Sequence, residues 1–295
     1  MPLYCLYALT IDSAFELPEL QSLKLDVPVD VDIKIRLGDG PPPLPGTTMR
    51  DGDIQVVRNG WVFVARNGRE LIVYPHSGNQ PESLPLLIVG RLMANIFRQR
   101  GWLPLHASGV VMRCGARQET AAVLFLGESG YGKSTTAAAF HVRGFEVITD
   151  DIAAVSPLGG ACLVRPSWPR IRLTDDSMPV LAGHDLTSFW HVDKRSVELG
   201  RGKLRRLFRI ARIYVLRYGP QLESVPLSSM DAVRVLDRYS FPRKRQTGRD
   251  SIKAALRLCS SVASTTQVHE LYRRRSLESI GEVVEFVRKD LETNG

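Results

Sequence analysis

Eight consecutive residues in the first half of the chain have the types and spacing of a phosphate-binding loop. The segment GESGYGKS (127–134) fits GxxxxGK[ST] at every required position. In such a loop the backbone N–H groups face nucleotide phosphates, the lysine bridges phosphate oxygens and the hydroxyl that follows it ligates Mg²⁺. We therefore predict a nucleotide site. Its candidate binding residues are Gly127, Glu128, Ser129, Gly130, Tyr131, Gly132, Lys133, Ser134 and Thr135.

Two residues of this set have no clear role in the chemistry. Tyr131 either shields the phosphates or packs on the rim of the loop, and we favour packing. Thr135 belongs to the set by position alone, because hydroxyls at the start of a helix commonly cap it or face solvent. The chemistry of binding is therefore assigned to Lys133 and to Ser134, which is the first candidate metal ligand.

Two adjacent carboxylates, Asp150 and Asp151, follow Lys133 by seventeen and eighteen residues, at the end of the predicted strand 145–149. In a parallel α/β fold, residues at the carboxyl ends of strands collect in one site. One carboxylate near the metal and one acting as base toward a hydroxyl would divide the work of phosphoryl transfer. Side chains of adjacent strand residues diverge, however. The alternative is that only one aspartate enters the site and the other caps the turn.

Composition and charge exclude several other classes of function. The four cysteines are far apart and form no CxxC pair, so we predict buried free thiols and neither disulfides nor a zinc site. No apolar run reaches the about 18 residues of a membrane span, and the N-terminus lacks the basic start of a secretion signal. A cytoplasmic protein without a membrane partner is expected.

The net charge is +8 and the isoelectric point is about 9.5, which favours an anionic partner. The basic residues concentrate in 201–212, 241–249 and 272–275. No recognised nucleic-acid module accompanies them, so a nucleic acid is disfavoured. A basic face that attracts a nucleotide and an acidic peptide is the preferred interpretation. A homo-oligomer stays open.

The elements that position these residues fall into two predicted parts. Residues 1–82 are predicted to form an antiparallel β unit. Apolar and polar residues alternate along 22–37, and Asn67-Gly68 is typical of a hairpin turn. We hypothesise that the stretch from Leu23 to Leu37 forms a sheet edge that holds an acceptor peptide, or that the unit only covers the second part. In residues 83–295, strands and helices alternate after about residue 100, which predicts an α/β nucleotide-binding domain.

Within that domain, strand 121–127 precedes the loop and helix 133–143 follows it. The run 121–127 is continuously apolar, as expected for a strand buried on both faces. A helix over 84–101, closed by Gly101, and a strand over 103–113 come before them. His106 lies on that strand, and the residues alone indicate a histidine buried in the hydrophobic core.

Three segments of the chain resemble the C-terminal domain of HPr kinase/phosphorylase, a bacterial protein-serine kinase family with a fold related to phosphoenolpyruvate carboxykinase. They are LPLHASGVVM, FLGESGYGKSTTAAAF and RGFEVITDDIAAV, and the resemblance covers about residues 104–155. The stretches YCLYALTIDS, LPLHAS, WPRIRL and DKR are similar to the lasso-peptide kinases, which phosphorylate the terminal serine of a precursor peptide.

The resemblance implies roles for individual residues. Asp151 would be the base that acts on the acceptor serine, and His106 its partner in the catalytic site. Lys133 and Ser134 would hold the phosphates and Mg²⁺, with Asp150 on the metal side. The implied cofactors are ATP and Mg²⁺.

The chain departs from the family in one segment. It lacks the ExRGxG loop whose glutamate ligates the metal, and VRPSWPRIRL (164–173) and DKRSVEL (193–199) stand in its place. This argues against phosphorolysis and against HPr as the substrate. Arg170, Arg172 and Lys194 are candidates for binding phosphates or a peptide carboxylate, or are simply solvated.

The predicted function is an ATP- and Mg²⁺-dependent kinase acting on a serine hydroxyl, above all the C-terminal serine of a lasso-type precursor peptide. Two alternatives stay open: an HPr-type kinase acting on a folded carrier protein, and a regulatory ATP-binding or ATP-hydrolysing protein. A GTPase is disfavoured because the sequence contains no NKxD segment.

Overall fold

The structure, a computed structural model, describes residues 1–26, 29–44, 52–58, 60–76, 84–168, 170–184, 188–191, 194–199, 205–241 and 249–294. Within these residues the fold is mixed α/β, as predicted. None of the described helices is both long enough and apolar enough to cross a bilayer. All four cysteines are buried free thiols, which confirms their interpretation.

The first seven strands form one sheet. They are β1 Leu3–Leu6, β2 Leu9–Ser13, β3 Lys24–Leu25, β4 Ile33–Leu37, β5 Ile54–Arg58, β6 Trp61–Arg66 and β7 Glu70–Tyr74, with a 3₁₀ helix over Pro18–Leu23. Their order is β3-β1-β2-β4-β7-β6-β5. The pairs β2–β4 and β4–β7 are parallel and the other four pairs are antiparallel, so the sheet is mixed and the prediction of an antiparallel unit is correct only in part. An alternation of apolar and polar residues identifies a strand but does not indicate which strands pair with it or in which direction.

The alternating stretch from Leu23 to Leu37 is divided between two strands. β3 lies at the edge of the sheet and pairs with β1, whereas β4 lies between β2 and β7. The predicted peptide-binding edge is therefore wrong for β4, which pairs with β2 along Ile33–Ile35 and with β7 along Lys34–Leu37. The hairpin at Asn67-Gly68 is confirmed: it joins β6 to β7, and both turn residues have positive φ (51° and 64°).

A helical segment follows the first sheet. α1 (Leu84–Leu87) continues into a π-helix (Ile88–Leu92) and then into α2 (Met93–Gln99). Gly101, with φ of 72°, ends the segment as predicted. The same hydrophobic cluster contains Phe63 of the first sheet, Phe97 of α2 and Ile152 of the next sheet. The division of the chain near residue 82 stays a prediction, since this apolar core is continuous across it.

The rest of the chain contains ten strands and four helices among the described residues. The strands are β8 Leu103–Cys114, β9 Glu119–Leu126, β10 Glu146–Leu158, β11 Ala161–Arg165, β12 Arg170–Leu173, β13 Ser188–His191, β14 Lys194–Glu198, β15 Phe208–Tyr218, β16 Glu223–Pro226 and β17 Gln267–Arg273. The helices are α3 Lys133–Val142, α4 Ser229–Arg238, α5 Arg249–Thr265 and α6 Ile280–Asn294, with a 3₁₀ helix over Asp175–Leu181.

These strands form a central sheet in the order β11-β10-β8-β9-β15-β17-β16 and a small sheet in the order β12-β14-β13. In the central sheet β9, β15 and β17 run parallel, and the other pairs are antiparallel. β11 also pairs with β15, so the sheet curls on itself.

Helices cover both faces of the central sheet, and this explains the continuous apolar run in β9. Val123 and Phe125 pack in one hydrophobic cluster with residues of α3 and α6. Leu124 and Leu126 pack in another cluster with residues of α4 and α5. The strand is therefore buried on both sides, as its sequence predicts. Whether this is a core of the HPr kinase type stays a prediction.

Candidate functional site

The glycine loop (residues 127–134) joins a buried strand to a helix. β9 ends at Leu126, and α3 begins at Lys133. Gly130 and Gly132 have φ of 85° and 76°, in the left-handed region that a residue with a Cβ rarely adopts. The start of α3 turns its first backbone N–H groups and the positive end of the helix dipole toward the loop, an arrangement that suits an anion.

The loop opens on a cavity of about 140 Å³. Of the predicted binding residues, Ser129, Gly130, Gly132, Lys133, Ser134 and Thr135 line this cavity. His106, Asp150, Asp151, Arg172, Leu173, Thr174 and Ser177 complete its wall among the described residues. Gly127, Glu128 and Tyr131 belong to the loop but lie outside the lining. The fold therefore brings residues from β8, β10 and β12 to the glycine loop.

Lys133 is held across the loop that precedes it. Its Nζ atom donates to the carbonyl oxygens of Gly127 at 2.9 Å and Glu128 at 3.2 Å, and the residue is 7% exposed. A buried ammonium group needs hydrogen-bond acceptors or a counter-charge. The two carbonyls keep this one at the cavity wall, where phosphate oxygens would be further partners.

Asp150 joins three elements around the cavity. Its Oδ1 atom accepts hydrogen bonds from Ser134 Oγ at 2.8 Å and from Ser108 Oγ at 2.5 Å. Its Oδ2 atom accepts from the backbone N–H of Arg172 at 2.8 Å. The loop, β8 and β12 thus meet at one carboxylate. Ser108 was missed in the sequence, although it lies two residues after His106 and so on the same face of the strand.

Asp151 enters the same cavity because the backbone of β10 is irregular there. The strand runs on to Leu158, so the prediction that the aspartates end it is wrong. Its pairing with β8 shifts register between Val147 and Thr149, and Asp151 has φ of 121°. In a regular strand the two side chains would point to opposite faces. With this irregularity, the side chains of both aspartates line the cavity, so the alternative in which only one of them does so is excluded.

His106 and Asp151 form a close pair at the cavity wall. His106 Nδ1 lies 2.9 Å from the backbone oxygen of Asp151 and 3.2 Å from its Oδ1 atom. Because both partners are acceptors, Nδ1 carries the hydrogen. Burial alone would raise the pKa of Asp151, but the hydrogen bond and charge of His106 and the charges of Arg172 and Arg170 outweigh it and hold this pKa below its usual range. Asp151 is therefore ionised at neutral pH.

The three candidate cations differ in where the structure places them. Arg172 lines the cavity next to Asp150. Arg170 lies behind the aspartates, with its guanidinium 3.9 Å from the centre of the Trp168 ring. Burial and the neighbouring Arg172 lower the pKa of Arg170 to about 10. Lys194 begins β14, and its side chain lies outside the part of the chain that the structure describes.

A second, smaller cavity of about 20 Å³ lies on the far side of the aspartates and connects them to the first sheet. Both aspartates line it together with Tyr7, Gly90 and Arg170. Tyr7 has φ of 57° and donates from its hydroxyl to the Val89 carbonyl oxygen, in the π-helix, at 3.1 Å. Burial and the charge of Asp151 raise the pKa of Tyr7. The first sheet therefore contacts the site at the β1–β2 turn rather than through a sheet edge.

Sequence reasoning also missed three residues that contact the outer side of the loop. Arg238 of α4 forms an ion pair with Glu128 (2.8 Å). Tyr218 stacks on Tyr131 with ring centroids 4.8 Å apart, which agrees with the packing interpretation of Tyr131. Arg273 contacts the loop backbone. All three follow the loop by more than eighty residues, so no local spacing could have indicated them.

No family model matches the chain, and no curated protein matches it. Among solved structures, the chain is similar to the Hpr(Ser) kinase/phosphatase from Coxiella burnetii. The match covers 63% of this chain and 97% of that one at 16% sequence identity, with a TM-score of 0.32. At this TM-score the likeness supports no conclusion about activity.

Proposed function

We propose that the protein is a kinase that uses ATP and Mg²⁺ to phosphorylate a serine hydroxyl of a peptide or small protein. One observation carries the proposal: two carboxylates with different partners face the same cavity as the glycine loop. Asp150 bonds to the loop hydroxyl of Ser134, while Asp151 bonds to His106. A site that binds Mg²⁺ and a nucleotide needs one carboxylate near the metal, and the presence of a second one supports a role toward an acceptor.

The residues on the metal side fit Mg²⁺. Among the described residues, no three or more His, Cys, Asp or Glu side chains are arranged so that they alone could hold a metal ion. Mg²⁺ is commonly held by one or two carboxylates together with substrate phosphates. Ser134 Oγ and Asp150 Oδ1 lie 2.8 Å apart, within the about 2.8–3.0 Å between adjacent ligands of an octahedral ion with bonds of about 2.0–2.1 Å. When bound there, the ion neutralises charge on the phosphates.

Asp151 has the properties of a group that orients an acceptor hydroxyl. Its low pKa keeps it ionised, and it lines the same cavity as the glycine loop. A carboxylate can accept the hydroxyl hydrogen and align its oxygen with the γ-phosphate. His106 keeps Oδ1 engaged, so Oδ2 is the oxygen that would meet the acceptor.

The acceptor is assigned by sequence resemblance. The similarity of YCLYALTIDS, LPLHAS and WPRIRL to lasso-peptide kinases supports the C-terminal serine of a precursor peptide. The net charge of +8 suits an acidic or carboxylate-bearing peptide. The second candidate, a kinase of the HPr type acting on a folded carrier, rests on the resemblance of residues 104–155.

The test supplies radiolabelled ATP and Mg²⁺ with four acceptors: a peptide ending in serine, its C-terminal amide, the same peptide ending in alanine, and a folded carrier with an exposed serine. Label on the first peptide, and none on the alanine peptide, is the expected result. A weaker reaction of the amide would show that the carboxylate is recognised. Label on the folded carrier alone would favour the second candidate. Phosphate release without any labelled acceptor would show an ATPase and overturn the proposal.

A further inference from the structure

Two side chains at the ends of neighbouring strands hold the glycine loop from outside the cavity. β15 and β17 are parallel, and Tyr218 and Arg273 are register partners at their carboxyl ends. The Tyr218 hydroxyl donates to the Gly130 carbonyl oxygen at 2.9 Å. Arg273 Nη2 donates to the Tyr131 carbonyl oxygen at 2.7 Å. Two consecutive carbonyl groups of the loop are therefore each held by a different strand.

Holding a carbonyl group also sets the direction of the N–H group in the same peptide. In a trans peptide the C=O and N–H bonds point in opposite directions. Gly132 lines the cavity on which the glycine loop opens, whereas Tyr131 and Arg273 are not among the described residues that line it. The bond from Arg273 to the Tyr131 carbonyl therefore directs the Gly132 N–H away from Arg273 and toward the cavity.

Arg273 is closely fitted to this part of the loop. It is 5% exposed, and its Nη2 atom occupies the space that a Cβ at Gly132 would need. Its Nη1 atom donates to the backbone oxygen of Arg274 at 3.3 Å. Burial lowers the pKa of Arg273. A buried guanidinium is costly unless it is well bonded, and charge-assisted bonds to carbonyls are stronger than neutral ones.

We infer that Arg273 is a positioning residue for nucleotide binding, which holds the Tyr131–Gly132 peptide so that the Gly132 N–H meets the β-phosphate. Tyr218 holds the preceding peptide in the same way. The inference rests on the nucleotide-binding function proposed above. It has a specific consequence, because a nucleoside monophosphate lacks the β-phosphate. Arg273 therefore contributes to the preference for ADP over AMP.

The experiment measures the Kd of ADP and of AMP by calorimetry for the full chain and four variants: Arg273→Gln, Arg273→Lys, Tyr218→Phe and Arg274→Gln. In Arg273→Gln we expect ADP to bind about tenfold or more weakly, as for the loss of a charged hydrogen bond, while AMP binding stays as in the wild type. Arg273→Lys recovers part of the ADP affinity, because it keeps the charge and a donor. Arg274→Gln is the matched control, since its exposed side chain bonds to the Pro220 carbonyl oxygen.

An unchanged ratio of ADP to AMP affinity in Arg273→Gln overturns the inference, even if the melting temperature falls, because the arginine would then serve only stability. If Arg273→Gln does not fold, Arg273→Lys and Tyr218→Phe replace it, and wild-type ADP affinity in both also overturns the inference. A wild-type chain that binds neither nucleotide overturns the proposed function itself. That result is distinct from a change confined to the variants.

Discussion

The hydroxyl of Ser134 donates to the carboxylate of Asp150 across 2.8 Å, although sixteen residues separate the two in the chain. Ser134 lies in the first turn of α3, and Asp150 lies within β10. In the function proposed above, these two oxygens would hold Mg²⁺ together with the nucleotide phosphates. The metal side of the proposed site is therefore defined by this pair.

Replacing Asp150 with Asn should mainly change the dependence of activity on Mg²⁺. The amide keeps the shape of the side chain but removes the charge that attracts the ion, so the Mg²⁺ concentration for half-maximal activity should rise about tenfold or more. Activity titrations with Mg²⁺ at saturating ATP measure this. An Asp150→Asn variant with an unchanged Mg²⁺ requirement, and a lower rate at every concentration, would contradict the assignment.

Replacing Asp151 with Asn should leave nucleotide binding nearly intact and slow phosphoryl transfer by about 10²-fold or more, as for the loss of a positioned base. The measurement compares the Kd of ADP with the rate of transfer to the peptide. Asp39→Asn is the control, since Asp39 is fully exposed. If Asp151→Asn instead raises the Mg²⁺ requirement, the roles of the two aspartates are reversed.

Replacing Lys133 with Ala should abolish measurable nucleotide binding, because a fixed cation at the cavity wall disappears. Calorimetry with ADP and with ATP measures the effect, and circular dichroism confirms that the variant is folded. Lys34→Ala, which removes an exposed lysine of β4, is the matched control and should bind as the wild type does. If Lys133→Ala binds ADP and ATP with wild-type affinity, the nucleotide does not bind at the glycine loop.

The low pKa of Asp151 should appear in the pH dependence of stability. Its folded pKa is lower than its unfolded value of about 3.9, so its ionisation stabilises the fold above about pH 4 and this contribution is lost as pH falls through the folded pKa. The unfolding free energy of the wild type, relative to Asp151→Asn, should therefore be constant from about pH 5 upward and fall below about pH 4.

Urea unfolding across this pH range makes the measurement. His106→Gln is the informative second background, because the hydrogen bond and charge of His106 help to lower the pKa of Asp151. In that background the effect of Asp151→Asn on the unfolding free energy should depend less on pH. If the effect of Asp151→Asn on the unfolding free energy changes equally with pH in both backgrounds, His106 does not set the pKa of Asp151.

A truncated chain that begins at Glu82 should fail to fold. The first sheet contributes Tyr4 and Phe63 to the same hydrophobic cluster as Phe97 and Trp168 of the remaining chain. Removal of the sheet would expose this apolar surface to water, at a cost that exceeds ordinary domain stability. Thermal unfolding of the purified truncated chain tests this against the full chain. A soluble truncated chain that unfolds cooperatively and binds ADP would show that the first sheet is dispensable for folding.

The sequence by itself determined the parts of this protein that depend on local geometry. The glycine loop, the Asn67-Gly68 turn and the buried strand β9 were predictable because residue types with restricted backbone or burial preferences recur at fixed short spacings. The same is true of the free thiols and of the mixed α/β class. His106 was brought into the site by resemblance and not by its own pattern.

Only the tertiary structure decided how distant segments meet. The irregular backbone at Asp151 brings the second carboxylate into the cavity, and it depends on how β10 pairs with β8. The central position of β4 depends on which strands neighbour it. Arg273 reaches the loop from 142 residues away because β9, β15 and β17 end at the same edge of the sheet. Such contacts carry no local signal, since strand pairing is set by the packing of the whole sheet.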